Sequence, residues 1–217
     1  MKSPRKITDK RRLRGEKSRQ AIVKAAIACI ARQGLRDATL ERVAQKAKVS
    51  KALVTFHFKS KTGLLAAVLD HQESVFENGW DAILASNSVS TSGKLLELLE
   101  YDVRFSVERR DFIAVWHAYW GEARGSSLYR KLTNPRDERY DSDVRKLLRD
   151  VTKEGEYDDI NVTAIERGIS AMMFGIWRDS HLAHGPNDYA NGMQAMWIYL
   201  HKVFPKHYES KVFRKRI

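Results

Sequence analysis

Apolar residues in this 217-residue chain return three and four positions apart in segment after segment, and no stretch keeps the strict alternation of a half-buried strand. Only 4 prolines and 12 glycines interrupt those segments. The pattern predicts an all-α protein. Ile22, Ala25, Ala26, Cys29 and Ile30 mark one face of a first helix over about 16–33, with Gly34 where a C-terminal cap is expected. Thr39 can cap a second helix that turns Leu40, Val43, Ala44 and Ala47 inward. Ser50 can cap a third, with Leu53 and Val54 as its buried side, and Ser60 a fourth that runs through Leu64, Leu65, Val68 and Leu69 to about residue 85. After a polar loop at 87–93 the periodicity predicts helices near 94–107, 111–122, 127–151, 162–183 and 187–203. Pro135 is expected to break or kink the third of these.

Charge divides the chain as sharply as periodicity organises it. Residues 1–61 hold 18 Lys/Arg against 4 Asp/Glu, a surplus of +14, whereas residues 62–217 carry 21 against 23. Such segregation points to a module for a polyanion joined to a nearly neutral module, with a solubilising or membrane-surface patch as the alternative. The expected organisation is a basic arm at 1–15 that is too polar to fold alone, a helix–turn–helix domain at 16–61, a sensing and dimerisation domain at 62–205 and a basic tail at 206–217. The arm can lie along a minor groove or phosphates, or serve as a solubilising tail.

Several classes are excluded at this stage. No run of 18 apolar residues and no signal peptide is present, so a cytoplasmic protein with no membrane partner is expected. The single cysteine, Cys29, sits on an apolar face and has no internal disulfide partner, and no zinc-ligand spacing occurs. His181 and His184 lie three apart at a helix end, which reads as solvated surface. No P-loop, HExxH, GxSxG or catalytic Cys–His pairing is found, so no catalytic residue, metal site or cofactor is expected.

The stretch VSKALVTFHFKSK at 49–61 combines packing residues with groups suited to an anion. A helix–turn–helix sets its second helix into the DNA major groove, which demands one buried side and one side of short or polar residues. Leu53 and Val54 supply the first. Lys51, Ala52, Thr55 and Phe56 are left for base edges, while Ser50, His57 and Lys61 are placed for phosphates. For Phe56, packing is the competing reading.

ATLERVAQKAKVSKALVTFHFKSKTGLL resembles the signature of TetR-family repressors across about 16–69: Thr39 opens the second helix, Val49-Ser50 forms the turn, an aromatic pair ends the third helix, and Lys-Ser-Lys and Leu-Leu follow. The family usually has glycine where Lys48 stands, so a strained lysine is expected there, and commonly tyrosine where His57 stands. The resemblance implies a homodimer on double-stranded operator DNA, with an effector pocket in the larger helical domain. Gly168 and Gly175 share a helix face with Met172 and Ile176, and a second helix carries Met193, Met196, Trp197 and Leu200. The two are candidates for a four-helix dimer interface, or for core helices of a monomer.

DFIAVWHAYWGEA at 111–123, LYRKL at 128–132 and GIW at 175–177 resemble the C-terminal domain of choline-responsive BetI-type repressors. Trp116, Tyr119, Trp120, Phe174 and Trp177 are therefore candidates for an aromatic cage, with plain core packing as the alternative. Asp111, Glu122 and Asp179 are the candidate carboxylates. The function expected is a ligand-responsive repressor on a near-palindromic operator, released by a small-molecule inducer of quaternary ammonium type. The alternatives are a repressor of an efflux or metabolic operon with an apolar ligand, and a ligand-independent DNA-binding protein.

Overall fold

The computed structural model describes residues 4–123, 125–182 and 188–209, and among these it contains nine α-helices and no strand. They are α1 (Pro4–Asp37), α2 (Leu40–Ala47), α3 (Lys51–Phe58), α4 (Lys61–Ala85), α5 (Thr91–Glu108), α6 (Arg110–Ala123), α7 (Ser127–Glu154), α8 (Val162–Leu182) and α9 (Asp188–Val203). The expected ends of α8 at residue 183 and of α9 at residue 187, His184, and most of the tail at 206–217 lie outside the described residues.

Gly34 takes φ 76°, and there the chain leaves the regular helix, as a C-terminal glycine allows. The arm differs from expectation, because α1 already begins at Pro4. Proline suits a first helical position, and Lys, Arg and Leu propagate a helix well. Once Ile22, Val23, Ala26 and Ile30 have buried the following turns, extension towards the N-terminus needs no new nucleus. The second difference is Pro135, through which α7 continues as one helix. Thr133, Val144, Leu147, Leu148 and Val151 are buried along it, so packing outweighs the one backbone bond the proline withholds.

The chain forms two compact units. The first comprises residues up to Ser74 together with Ala114–Leu132, and the second comprises Val75–Ile113 with Thr133 onward. The first unit thus extends past the expected boundary at 61. Leu64, Leu65, Val68 and Leu69 of α4 are buried, and the Tyr119 hydroxyl of α6 donates to the Leu65 carbonyl at 2.8 Å. In the second unit α5, α8 and α9 pack on one another around Leu95, Leu98, Leu99, Val144, Leu148, Ile169, Met173, Met196 and Phe204. α4, α6 and α7 each contribute residues to both units.

Lys48 ends α2 at φ 56° and ψ 43°, the left-handed conformation, with its N–H donating to the carbonyls of Ala44 and Gln45. A non-glycine residue there carries a cost of about 1–2 kcal/mol, part of which glycine would return as chain entropy on folding. Lys48→Gly should therefore raise stability by roughly 1 kcal/mol, a few degrees in thermal melting, and Lys48→Val should lower it. A glycine variant that melts below the parent would show that the lysine is not strained.

Candidate nucleic-acid interface and buried carboxylate cluster

The turn between α2 and α3 is built by two caps. The Thr39 hydroxyl accepts from the Arg42 N–H at 3.3 Å, and the Ser50 hydroxyl accepts from the Leu53 N–H at 3.2 Å. Val54 is fully buried and Phe58 nearly so, which fixes one side of α3 against α1 and α2. Leu53 is only half-buried. The opposite side leaves Lys51, Ala52, Thr55 and Phe56 in solvent, Phe56 at 68% exposure.

The aromatic pair ending α3 therefore divides. Phe58 is the packing residue and Phe56 the exposed one, with the Lys59 ammonium 5.3 Å from its ring centroid. Gly63 is needed close by, since a Cβ there would lie 2.2 Å from the Phe58 carbonyl oxygen. Charged groups on this face are held locally: Lys51 pairs with Glu41, whose carboxyl that hydrogen bond holds below its usual range. Lys61 donates to the Arg36 carbonyl at 2.9 Å, leaving two further ammonium protons, and His57 Nε2 is 2.9 Å from Ser18 Oγ.

The expected cage residues fall in different units. Trp116, Tyr119 and Trp120 belong to the first, where the Trp116 and Trp120 ring centroids are 5.5 Å apart, Trp116 and Tyr119 are buried, and Tyr119 has its hydroxyl on α4. Phe174 and Trp177 belong to the second, and Phe174 is 46% exposed. None of the three candidate carboxylates is buried: Asp111 is exposed, Glu122 pairs with Arg36 at 3.3 Å, and Asp179 pairs with Arg178 at 2.7 Å.

The buried carboxylate is Asp102, 2% exposed on α5. Its Oδ1 accepts from the Trp177 indole N–H at 3.1 Å, while Oδ2 is buried with no hydrogen-bond partner. The Tyr140 hydroxyl stands near enough to lower the Asp102 pKa, but the two groups miss hydrogen-bonding geometry and that hydroxyl is also unsatisfied. Burial dominates and pushes Asp102 up to about 7, against the nearby Tyr140 hydroxyl and the Trp177 hydrogen bond that pull it down. Tyr140 and Trp177 adjoin the group with ring centroids 6.2 Å apart, and Trp80 lies on the Tyr140 ring at 5.0 Å between centroids. The Trp80 N–H is engaged by Asp143 at 3.0 Å. Both indole donors are thus occupied, which fixes the rings.

A second buried carboxylate shows what compensation looks like. Glu166 accepts from Arg145 at 3.0 Å and from Ser170 at 3.2 Å. Among the described residues no cation pairs with Asp102. The residue was missed in the sequence, but a signal existed: Leu95, Leu98, Leu99, Asp102, Phe105 and Ser106 follow one helical face, with one acid among apolar neighbours.

The expected dimer residues also separate. Met193, Met196, Trp197 and Leu200 are buried in the chain's own core, because periodicity shows that α9 has an apolar face without saying what covers it. Gly168 meets Tyr199, whose hydroxyl would lie 2.6 Å from a Cβ there. Met172 and Ile176 pack partly buried against the same core, and Gly175 has open space beside it. α8 and α9 leave Phe174, Leu182 and Ile198 in solvent as large apolar groups, at 46%, 64% and 56% exposure.

Among the described residues no cluster of His, Cys, Asp and Glu could hold a metal, and no helix is long and apolar enough to cross a membrane. Residues 22–68 match the bacterial regulatory proteins of the tetR family, and residues 93–205 match the BetI-type transcriptional repressor C-terminal domain. The HTH-type transcriptional regulator BetI of Proteus mirabilis is 26% identical over 172 residues, covering 77% of this chain and 82% of that protein. Two solved structures share the fold. A putative transcriptional regulator from Saccharomonospora viridis in complex with choline has a TM-score of 0.76 at 21% identity, over 85% of this chain and 96% of that one. A putative transcriptional regulator from Pseudomonas aeruginosa PAO1 has a TM-score of 0.73 at 20% identity, over 88% of this chain and 91% of that one. With its second match alone spanning more than half of its length, the chain belongs to the TetR family of transcriptional regulators and carries the BetI-type repressor C-terminal domain.

Proposed function

We propose that this repressor binds a near-palindromic operator as a homodimer and is released by a small organic cation, best matched by a quaternary ammonium compound. The observation that carries the ligand class is Asp102: a buried carboxylate with one oxygen unsatisfied, among aromatic faces, and without a cation of its own. A quaternary ammonium has no N–H to donate, so it is held by ring faces at about 0.5–2 kcal/mol each and by Coulomb attraction. Trp80, Tyr140 and Trp177 offer the faces and Asp102 the charge. A hydroxyl on the ligand would satisfy Asp102 Oδ2. That a fold relative was crystallised with choline supports this reading. Of the residues expected in the sequence, Trp177 remains in the cage. Trp116, Tyr119 and Trp120 are assigned to packing, and Phe174 to the dimer surface with Met172, Gly175 and Ile198.

On the DNA side, Lys51, Ala52, Thr55 and Phe56 face base edges, while Thr39, Ser50, His57 and Lys61 meet phosphates. Two such helices sit roughly 34–36 Å apart on a two-fold operator. Against a duplex selected from a random pool, Lys51→Ala should weaken binding and relax sequence preference. Lys61→Ala should weaken all duplexes alike and lower the salt slope by about one unit per protomer, about two for the bound dimer. Anisotropy titrations in which neither variant differs from the parent would remove α3 from the interface.

The proton on Asp102 sets the pH response. A cation favours the ionised carboxylate, so below about pH 7 binding must first displace a proton. Choline titrated calorimetrically should bind about tenfold more weakly for each pH unit below 7 and level off above it. Asp102→Asn should flatten that dependence and weaken binding by tenfold or more at pH 8, with ligand-free DNA binding retained. A pH-independent affinity in the parent would place the ligand elsewhere.

In the ligand-free protein the sign runs the other way from an ordinary paired aspartate. Between about pH 4 and 7 the unfolded chain has released this proton and the folded chain still holds it. Stability therefore falls as pH rises through that window. Choline should recover part of the lost stability above pH 7, read as a ligand-induced rise in melting temperature that is largest at high pH.

A further inference from the structure

Residues 10–21 of α1 are helical, yet none is buried. Gly15 and Ser18 alone are half-covered, and Ser18 faces His57. This segment carries Lys10, Arg11, Arg12, Arg14, Lys17 and Arg19 against the single acid Glu16, whose carboxylate accepts from Gln20. Among the described residues no carboxylate pairs with Lys10, Arg11, Arg12, Arg14 or Lys17. Propensity favours this helix but its charges oppose it: Lys10 and Arg14 repel at i, i+4, and cations gather towards the positive end of the helix dipole. A helix that is polar all round needs an outside partner to be more than marginal.

We propose that residues 10–19 form a helical rail that docks on the phosphates flanking each operator half-site. The inference rests on the DNA-binding reading of α3. Its two junctions both lie at the C-terminal end of that helix: Ser18 Oγ is 2.9 Å from His57 Nε2, and the Arg19 guanidinium is 5.5 Å from the Phe58 ring centroid. From Ser18 back to Lys10 the axis advances about 12 Å, the span of about three or four phosphates on one strand. Lys10, Arg14 and Lys17 share one stripe at i, i+4 and i+7, and Arg11 lies on the Ser18 side. An anionic membrane is the weaker partner, since Leu13 is the only large apolar side chain in the segment and no apolar face exists to insert.

The test compares the full-length parent with K10Q/R11Q/R14Q/K17Q and with the charge-keeping R11K/R14K. On an operator duplex the quadruple variant should lose about 3–4 units of salt slope per protomer, about 7 for the bound dimer, with a similar fractional loss on unrelated duplex and unchanged sequence preference. R11K/R14K should keep the slope. Amide hydrogen exchange in the parent should slow at residues 10–18 when duplex is added, a readout that does not depend on any variant folding. An unchanged slope in the quadruple variant, no added protection on DNA, or a loss confined to phosphatidylserine vesicles would each overturn the rail. A parent that bound no duplex at all would instead sink the reading of α3.

Discussion

If α3 is the recognition helix, as proposed, the contact with DNA depends on how firmly its eight residues are seated. α3 is too short to persist alone, and only Val54 and Phe58 are buried along it. Its stability and angle must come from neighbours: Ser50 caps its start, Lys59 closes its end with a bond to Thr55, and Gly63 lets α4 begin directly beneath the Phe58 carbonyl. The division of labour follows from the helical repeat. Val54 and Phe58 are four apart and share the inner side, which turns Thr55 and Phe56 outward. An exposed phenylalanine and an exposed threonine are therefore consequences of the same packing that fixes the helix.

The second unit is organised around the opposite problem, a charge that the fold does not neutralise. Glu166 shows that the same helices can bury a carboxylate with a guanidinium and a hydroxyl around it. Asp102 receives one indole N–H and the neighbourhood of a phenol, and burial raises its pKa to about 7. Leaving a buried carboxylate under-satisfied lowers stability in the empty state. A neutral side chain of similar size would remove that cost but would also remove the attraction for a cation, so in the proposed cage the destabilising atoms are also the ones that would recognise the ligand.

Much of this is legible in the amino-acid sequence alone. Caps at Thr39, Ser50 and Ser60, the helix end at Gly34, and the burial of Val43, Ala44 and Val54 all follow from local rules, because each depends on residues within one or two turns. The left-handed Lys48 was also expected, from the glycine that the family places there. What could not be read was which face meets what. Met193, Met196, Trp197 and Leu200 form an apolar stripe whose destination, own core or partner, is a tertiary fact. The aromatic residues of α6 are conspicuous in sequence, whereas Trp80, Asp102 and Tyr140 lie on three separate helices and meet only after folding. Pro135 is the reverse case: of the break or kink expected there, the break does not occur, because the residues buried along α7 keep it one helix.

How a cation in the second unit could influence the first is constrained by thermodynamics more than by any single contact. A ligand shifts a conformational equilibrium only by its difference in affinity for the two states. In the proposed cage that difference has an identifiable source, the free energy of ionising Asp102 with and without a compensating charge. Coupling between ligand and DNA is typically 1–3 kcal/mol, equivalent to about one or two pKa units on one group. A shift of that size is available here, since Asp102 is displaced from its ordinary value by about that much or more. Three helices, α4, α6 and α7, contribute residues to both units. Such linkage is reciprocal: if the inducer binds at Asp102 as proposed, conditions that keep that carboxyl protonated would oppose the inducer and so favour the operator-bound state.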